Sequence, residues 1–251
     1  MPKDIHLKIK RQDGPNSPSY WQEFKIPYAE GHTVVTAMMV IRENPVTIQG
    51  DRVTPPVWEN SCLEEVCGAC TMLINGTPRQ SCAALVDDLL KSQSVIEVAP
   101  LTKFPVIRDL MVDRQKMFDA LRKVSSWAPM GVLSDVGEFA ERVDPKVWEE
   151  RYLFSRCMTC GCCMEVCPQY HEGSEFIGPS ALGQVYSQNI RPGDYGTEDR
   201  LHLIMGDGGI TDCGNAQNCI EVCPKDISLT KAIASLGRQT TVQWLKDVFH
   251  K

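Results

Sequence analysis

The residues best equipped for chemistry are the twelve cysteines, and they are clustered rather than scattered. Cys62, Cys67 and Cys70 follow one another with four and then two residues between them, and Cys82 comes eleven residues further on. This is the plant-type spacing for a [2Fe–2S] cluster. The segment SCLEEVCGAC wraps three thiolates round one side of such a cluster. Gly68 and Ala69 are small enough for backbone N–H groups to approach the sulfurs. The fourth thiolate comes from the far end of the segment TMLINGTPRQ. A zinc site is the alternative, since Cys67-x2-Cys70 alone would suit one. Zinc sites usually show two short Cys pairs joined by a longer arm, which this spacing does not match.

Five cysteines crowd into the next group. Cys157-x2-Cys160-x2-Cys163-x3-Cys167-Pro168 matches the bacterial ferredoxin run, whose fourth Cys ligates the other cluster of a pair. The second box that this exchange demands is Cys213-x5-Cys219-x3-Cys223-Pro224, with Ala216 where the full spacing would place a ligand. The exchange then assigns Cys157, Cys160, Cys163 and Cys223 to a [4Fe–4S] cluster. Cys167, Cys213 and Cys219 remain, and three thiolates suit [3Fe–4S]. Cys162 sits between ligands and reads as a buried, non-ligating thiol.

These residues need scaffolds of two kinds. Upstream, residues 6–12 and 21–28 read as strands on either side of a turn-rich loop. A helix is expected over 33–44, with Pro45 beyond its end. Asn75-Gly76 marks a hairpin within 71–80, and 94–100 is the last strand-like run. Downstream, the pattern is helical over 113–127, 145–156, 180–190, 198–205 and 227–236. A last helix is expected over 240–251, after a break at Gly237. The boundary falls around residues 100–112, giving domains 1–106 and 107–251.

Composition narrows the function. The chain has 251 residues, with 26 Lys and Arg against 32 Asp and Glu, for a formal net charge of −6. Nucleic-acid binders carry a basic surplus, absent here. A chain of this length buries its own core, so disulfides are not its main framework. The start of the chain has no apolar core of a secretory signal. No stretch approaches the roughly 18 apolar residues of a membrane span. A reducing compartment is expected, where cysteine patterns mean metal or redox chemistry. The nearest approach to a dinucleotide loop, Gly206-Asp207-Gly208-Gly209, breaks the G-x-G-x-x-G spacing and follows no strand. The chain therefore holds no flavin of its own, and no catalytic acid or base is assigned. His171 and His202 read as surface residues, Met38 and Met39 as core. Trp244 and Phe249 read as core or as facing a partner.

The order of these boxes resembles the iron–sulfur subunit of succinate dehydrogenase and quinol:fumarate reductase, the complex II family. SCLEEVCGAC, NGTPRQSC, FPVIRDLMVDR, CMTCGCCMEVCP and CGNAQNCIEVCP carry the resemblance over nearly the whole chain, and eleven cysteines match the family's ligand positions. The resemblance implies an α+β chain: a β-grasp [2Fe–2S] ferredoxin domain, then an α-helical bacterial-type ferredoxin domain. It also implies a flavoprotein partner carrying covalent FAD, and a membrane anchor that binds quinone and often haem. Electrons would run from FAD through the three clusters to quinone, with the chain peripheral on the cytoplasmic face of the membrane. In ubiquinone-reducing relatives a Trp follows the Cys-Pro and a His follows the first Cys of the last box. Here CPQYHEG follows, and Gly214 stands after Cys213. That departure points to menaquinone and a haem-bearing anchor. Fumarate reduction is the same relay reversed. A soluble multi-cluster carrier is the rival of another class, disfavoured by the long helices past the last Cys-Pro.

Overall fold

The computed structural model describes residues 4–127, 143–191 and 196–249. The chain forms two compact units. The first comprises Met1–Arg114 with Met158–Glu165, and the second comprises Gln115–Cys157 with Val166–Lys251.

The first unit is built on alternation. β1 (Asp4–Arg11) points Ile5, Leu7 and Ile9 inward and leaves the residues between them partly exposed. It pairs antiparallel with β2 (Tyr20–Pro27) and parallel with β5 (Ile96–Ala99). β5 pairs antiparallel with β3 (Thr71–Ile74), which turns at Asn75-Gly76 into β4 (Thr77–Gln80). The sheet order is β2-β1-β5-β3-β4. Asn75 and Gly76 both have positive φ, 49° and 79°, as a tight hairpin turn of matching twist requires.

α1 (Val34–Glu43) begins at a capping box in which Thr33 and Thr36 satisfy each other's backbone N–H. It buries Val34, Ala37, Met38 and Ile41 against Leu7, Ile9, Met72 and Val98. Each large aliphatic buried this way contributes about 1.5–3 kcal/mol. A four-residue helix, α2 (Val86–Leu89), follows Cys82, and a small hairpin of β6 (Val106–Arg108) and β7 (Met111–Val112) closes the unit.

Arg11 continues the inward face of β1 and is 1% exposed, against Asp109 at 0%. Arg11 Nε donates to Asp109 Oδ1 at 2.8 Å, and the backbone N–H groups of Gln12 and Val57 donate to the same carboxylate at 3.0 and 2.9 Å. The pair is buried but satisfied, the condition under which such a pair persists. The inserted Met158–Glu165 segment holds α5 (Cys162–Glu165). Glu165, 8% exposed, accepts from Thr102 N at 2.9 Å, Thr102 Oγ1 at 2.6 Å and Lys103 N at 3.0 Å.

The second unit is helical: α3 (Gln115–Lys123), α4 (Pro145–Ser155), α6 (Pro179–Asn189), α7 (Thr197–Met205), α8 (Asn218–Glu221) and α9 (Leu229–Phe249). Asp144 caps α4 by accepting from Lys146 N at 2.8 Å, and Pro145 opens the first turn. Phe154 of α4 meets Tyr186 of α6 edge-on at 4.9 Å. Leu182, Val185, Leu201, Ala232 and Leu236 fill the space among α6, α7 and α9.

The break expected at Gly237 does not occur, because α9 is continuous from Leu229 to Phe249. A mid-helix Gly costs about 1 kcal/mol against Ala. Here the buried residues Leu236 and Thr240 beside it outweigh that cost. Residues 250 and 251 of the expected last helix lie outside the described residues.

Candidate metal centres

The first centre is a loop in the first unit. Four backbone N–H groups turn inward to sulfur: Glu64, Val66 and Cys67 donate to Cys62 Sγ at 3.4, 3.4 and 3.3 Å, and Glu65 donates to Cys82 Sγ at 3.3 Å. Ala69 N donates to Cys67 Sγ at 3.5 Å. These bonds hold the Cys62 thiol down to about 7, with the Glu64 N–H contributing most. Cys82 is pushed up to about 11, first by burial and then by its hydrogen bond with Cys70. The four cysteines predicted as one ligand set therefore lie together.

The backbone does this by kinking. Leu63, Glu65 and Gly68 have φ of 61°, 54° and 72°. Left-handed residues alternating with ordinary ones form a concave nest of N–H groups that suits an anionic guest. Leu63 and Glu65 adopt that region without the freedom of glycine, a local cost tolerated at functional sites. The same device recurs at Thr159 and Gly161 (φ 52° and 90°), and at Asn215 and Gln217 (51° and 65°).

Gly68 has a second reason to be glycine. A Cβ there would lie 2.9 Å from Cys160 Cα and Cβ and 3.0 Å from Met158 O. Its smallness serves the approach of another cysteine box, while the N–H donors come mostly from larger residues.

Cys160, Cys162 and Cys163 also belong to the first unit and are buried. Hydrogen bonding from the Cys162 thiol is the largest influence on Cys160, whose thiol is held down to about 7 against the opposing effect of burial. Cys162 is fully buried, and its own thiol is pushed up by that bond and by burial. Gln80 Nε2 donates to Cys162 Sγ at 3.5 Å and to Thr71 Oγ1 at 3.1 Å.

In the second unit Cys167, Cys213 and Cys219 line one small cavity together with Pro168, Gln169 and Ala216. Burial pushes Cys219 up to about 11, and the nearby Cys167 and Cys213 add to the rise. Cys223 Sγ accepts from Ile227 N at 3.4 Å. Cys157 is half-buried at the end of α4, its N–H donating to Phe154 O at 3.2 Å. None of the twelve cysteines is joined in a disulfide. Thiols met by inward N–H groups on kinked loops fit iron–sulfur clusters, which are held by thiolates and tuned by such bonds.

Comparison with known proteins agrees. A family described as a 2Fe-2S iron-sulfur cluster binding domain matches residues 6–119, and a 4Fe-4S dicluster domain matches residues 153–227. The succinate dehydrogenase iron-sulfur subunit of Bacillus subtilis is 46% identical over 248 residues, covering 98% of this chain and 96% of that one. The chain belongs to the succinate dehydrogenase/fumarate reductase iron–sulfur subunit family. The fumarate reductase iron-sulfur subunit of Wolinella succinogenes is 34% identical, covering 95% of this chain and 98% of that one. A chain of the Mycobacterium smegmatis Sdh1 complex in the apo form shares the fold, with a TM-score of 0.82 at 24% identity, covering 97% and 98% of the two chains.

As a member of this family the chain is a non-catalytic electron-transfer subunit, with an N-terminal β-rich [2Fe–2S]-binding domain and a helical [4Fe–4S]-binding domain. The remaining candidates fit that role. In the 206–209 run, a Cβ on Gly208 would lie 2.0 Å from Glu175 O, so this glycine serves backbone packing. His171 is exposed. His202 pairs with Asp247 at 2.9 Å on the surface. Met38 is core, whereas Trp244 and Phe249 are exposed, at 54% and 77%. Among the described residues no helix is long and apolar enough to cross a membrane.

Sequence reasoning missed the kinked residues Leu63, Glu65, Thr159, Asn215 and Gln217, whose side chains give no signal. It also missed the Arg11–Asp109 pair. The strict alternation Ile5, Leu7, Ile9, Arg11 could have revealed that Arg11 points inward.

Proposed function

We propose that this chain is the electron-transfer subunit of a succinate:quinone oxidoreductase. It takes electrons from a flavoprotein partner carrying FAD and delivers them to quinone in a membrane anchor. Cys62, Cys67, Cys70 and Cys82 hold a [2Fe–2S] cluster. Cys157, Cys160, Cys163 and Cys223 hold [4Fe–4S], and Cys167, Cys213 and Cys219 hold [3Fe–4S]. Bound in this way, the clusters supply one-electron stations of graded potential. The chain's own residues bind them and donate N–H groups to the ligating sulfurs.

The observation that carries the reading furthest is Ala216. Ala216 lines the cavity that Cys167, Cys213 and Cys219 share, and its side chain offers no ligand to a fourth iron. The quinone is menaquinone and the anchor carries haem b, with the chain on the cytoplasmic face. In support, Gly214 lies against the Gln169 side chain, where a Cβ would come within 2.5 Å of Nε2. A His at 214 would have to displace that amide. A ubiquinone bound beside Pro168 in the purified complex would overturn this part.

Similarity to the Bacillus subtilis subunit favours succinate oxidation. Fumarate reduction is the second reading, favoured by similarity to the Wolinella subunit. The test is EPR of the air-oxidised, intact complex, which should show a [3Fe–4S] signal, together with metal analysis. Stoichiometric zinc, with iron and acid-labile sulfide near zero, would refute the reading.

A further inference from the structure

Arg114 is the last residue of the first unit's long segment, and its side chain is 12% exposed. Nη1 donates to Gly68 O at 3.0 Å, and Nη2 donates to Ala69 O at 2.6 Å and to Glu59 Oε2 at 3.1 Å. Both carbonyls belong to the residues between Cys67 and Cys70. Gly68 is also the residue whose Cα faces Cys160 so closely that a Cβ would collide with it. One guanidinium fork therefore grips the strip of backbone that lies between the first cysteine loop and Cys160. Its Nε is buried with no hydrogen-bond partner among the described residues, and a cluster sulfur is the kind of acceptor that would relieve it.

A guanidinium stays cationic at every relevant pH. A buried charge is screened less by salt than an exposed one. Its countercharge, Glu59, is 43% exposed and hence better screened. Reducing a cluster adds one negative charge, so a fixed cation beside it favours the reduced form.

We propose that Arg114 is a positioning residue for the first cluster: it pins the Gly68–Ala69 corner against Cys160 and supplies a fixed positive charge that raises the cluster's reduction potential. The proposal rests on the reading of Cys62, Cys67, Cys70 and Cys82 as [2Fe–2S] ligands.

The test is an EPR-monitored redox titration of the assembled complex. In Arg114→Gln the reduction equilibrium of the [2Fe–2S] centre shifts at least tenfold toward the oxidised form, about 59 mV for one electron. Arg114→Lys keeps the charge but loses the two-carbonyl grip. Its potential stays within threefold of the parent while its EPR lines broaden. Glu59→Gln, at an exposed side chain, removes the countercharge and shifts the equilibrium the opposite way. If Arg114→Gln fails to load iron, Glu59→Gln decides alone. An unchanged potential in every variant that loads iron overturns the proposal. An unsubstituted complex with no [2Fe–2S] signal on reduction overturns the ligand reading beneath it instead.

Discussion

The loop at Cys62–Cys70 and the box at Cys213–Cys223 use the same residue type and the same left-handed kinks, yet the dominant influence on Cys62 in the first is the opposite of that on Cys219 in the second. The first surrounds Cys62 with backbone N–H groups at 3.3–3.4 Å and leaves it partly open to solvent. Its thiol is drawn down to about 7. The second buries Cys219 beside two other thiols, and its thiol rises to about 11. Donors and water favour negative charge on sulfur, while burial and like neighbours oppose it. Burial and N–H donation therefore pull thiols apart within one centre as well, since Cys82, in the same ligand set as Cys62, rises to about 11.

The strongest way to break this comparison is to change the ligand count. Ala216→Cys places a fourth thiol in the wall shared by Cys167, Cys213 and Cys219. Near-complete loss of the oxidised [3Fe–4S] EPR signal is expected, with a reduced [4Fe–4S] signal in its place. A retained [3Fe–4S] signal would mean that Ala216 does not set the third centre's composition.

Next in size is the scaffold under the first loop. Asp109→Ala leaves Arg11 buried without its carboxylate and frees Val57 N, five residues before Cys62. Denaturant unfolding of the iron-loaded protein should show a loss of about 3–5 kcal/mol. A loss under 1 kcal/mol would show that this pair does not underpin the loop.

The acidity contrast has its own readout. In iron-free protein, alkylation of Cys62 should rise with pH through about 7, because its folded value is depressed and the thiolate is the nucleophile. Cys219 and Cys82, both raised to about 11, should stay unreactive until far more alkaline pH. Mass spectrometry of the labelled chain separates the three. Equal rates for Cys62 and Cys219 at pH 8 would erase the distinction between these two thiols.

The smallest effect lies in the helix that follows the third box. Gly237→Ala meets nothing nearer than Ile210 Cδ1 at 4.0 Å within a continuous helix. It should stabilise the protein by up to about 1 kcal/mol in the same unfolding assay, and destabilisation would indicate a bend there after all.

What the sequence made legible was the chemistry with a fixed residue type. Cysteine counts and intervals defined the boxes, Asn75-Gly76 defined a hairpin, and the alternation in 6–12 defined a strand that the structure places at Asp4–Arg11. What stayed hidden is carried by main-chain geometry or by contacts between distant residues. Leu63 and Thr159 adopt positive φ although neither residue type favours it, so only the folded loop reveals them. Arg114 acts through the carbonyls of Gly68 and Ala69, some 45 residues away in the chain. Gly237 misled because local propensity, worth about 1 kcal/mol, yielded to packing around Leu236 and Thr240.

The segment Met158–Glu165 carries a consequence for how the protein is made. The first unit recruits it from beyond the opening of the second, and Glu165 supplies the acceptors for Thr102 and Lys103. On a ribosome adding about 5–20 residues per second, the unit's main body waits several seconds for that carboxylate to emerge. Until then the Thr102 and Lys103 amides and the Gly68 surface meant for Cys160 lack their mates. A chain ended at Arg114 would lack both that carboxylate and Cys160, so the completion of the amino-terminal unit is timed by the synthesis of residues 158–165.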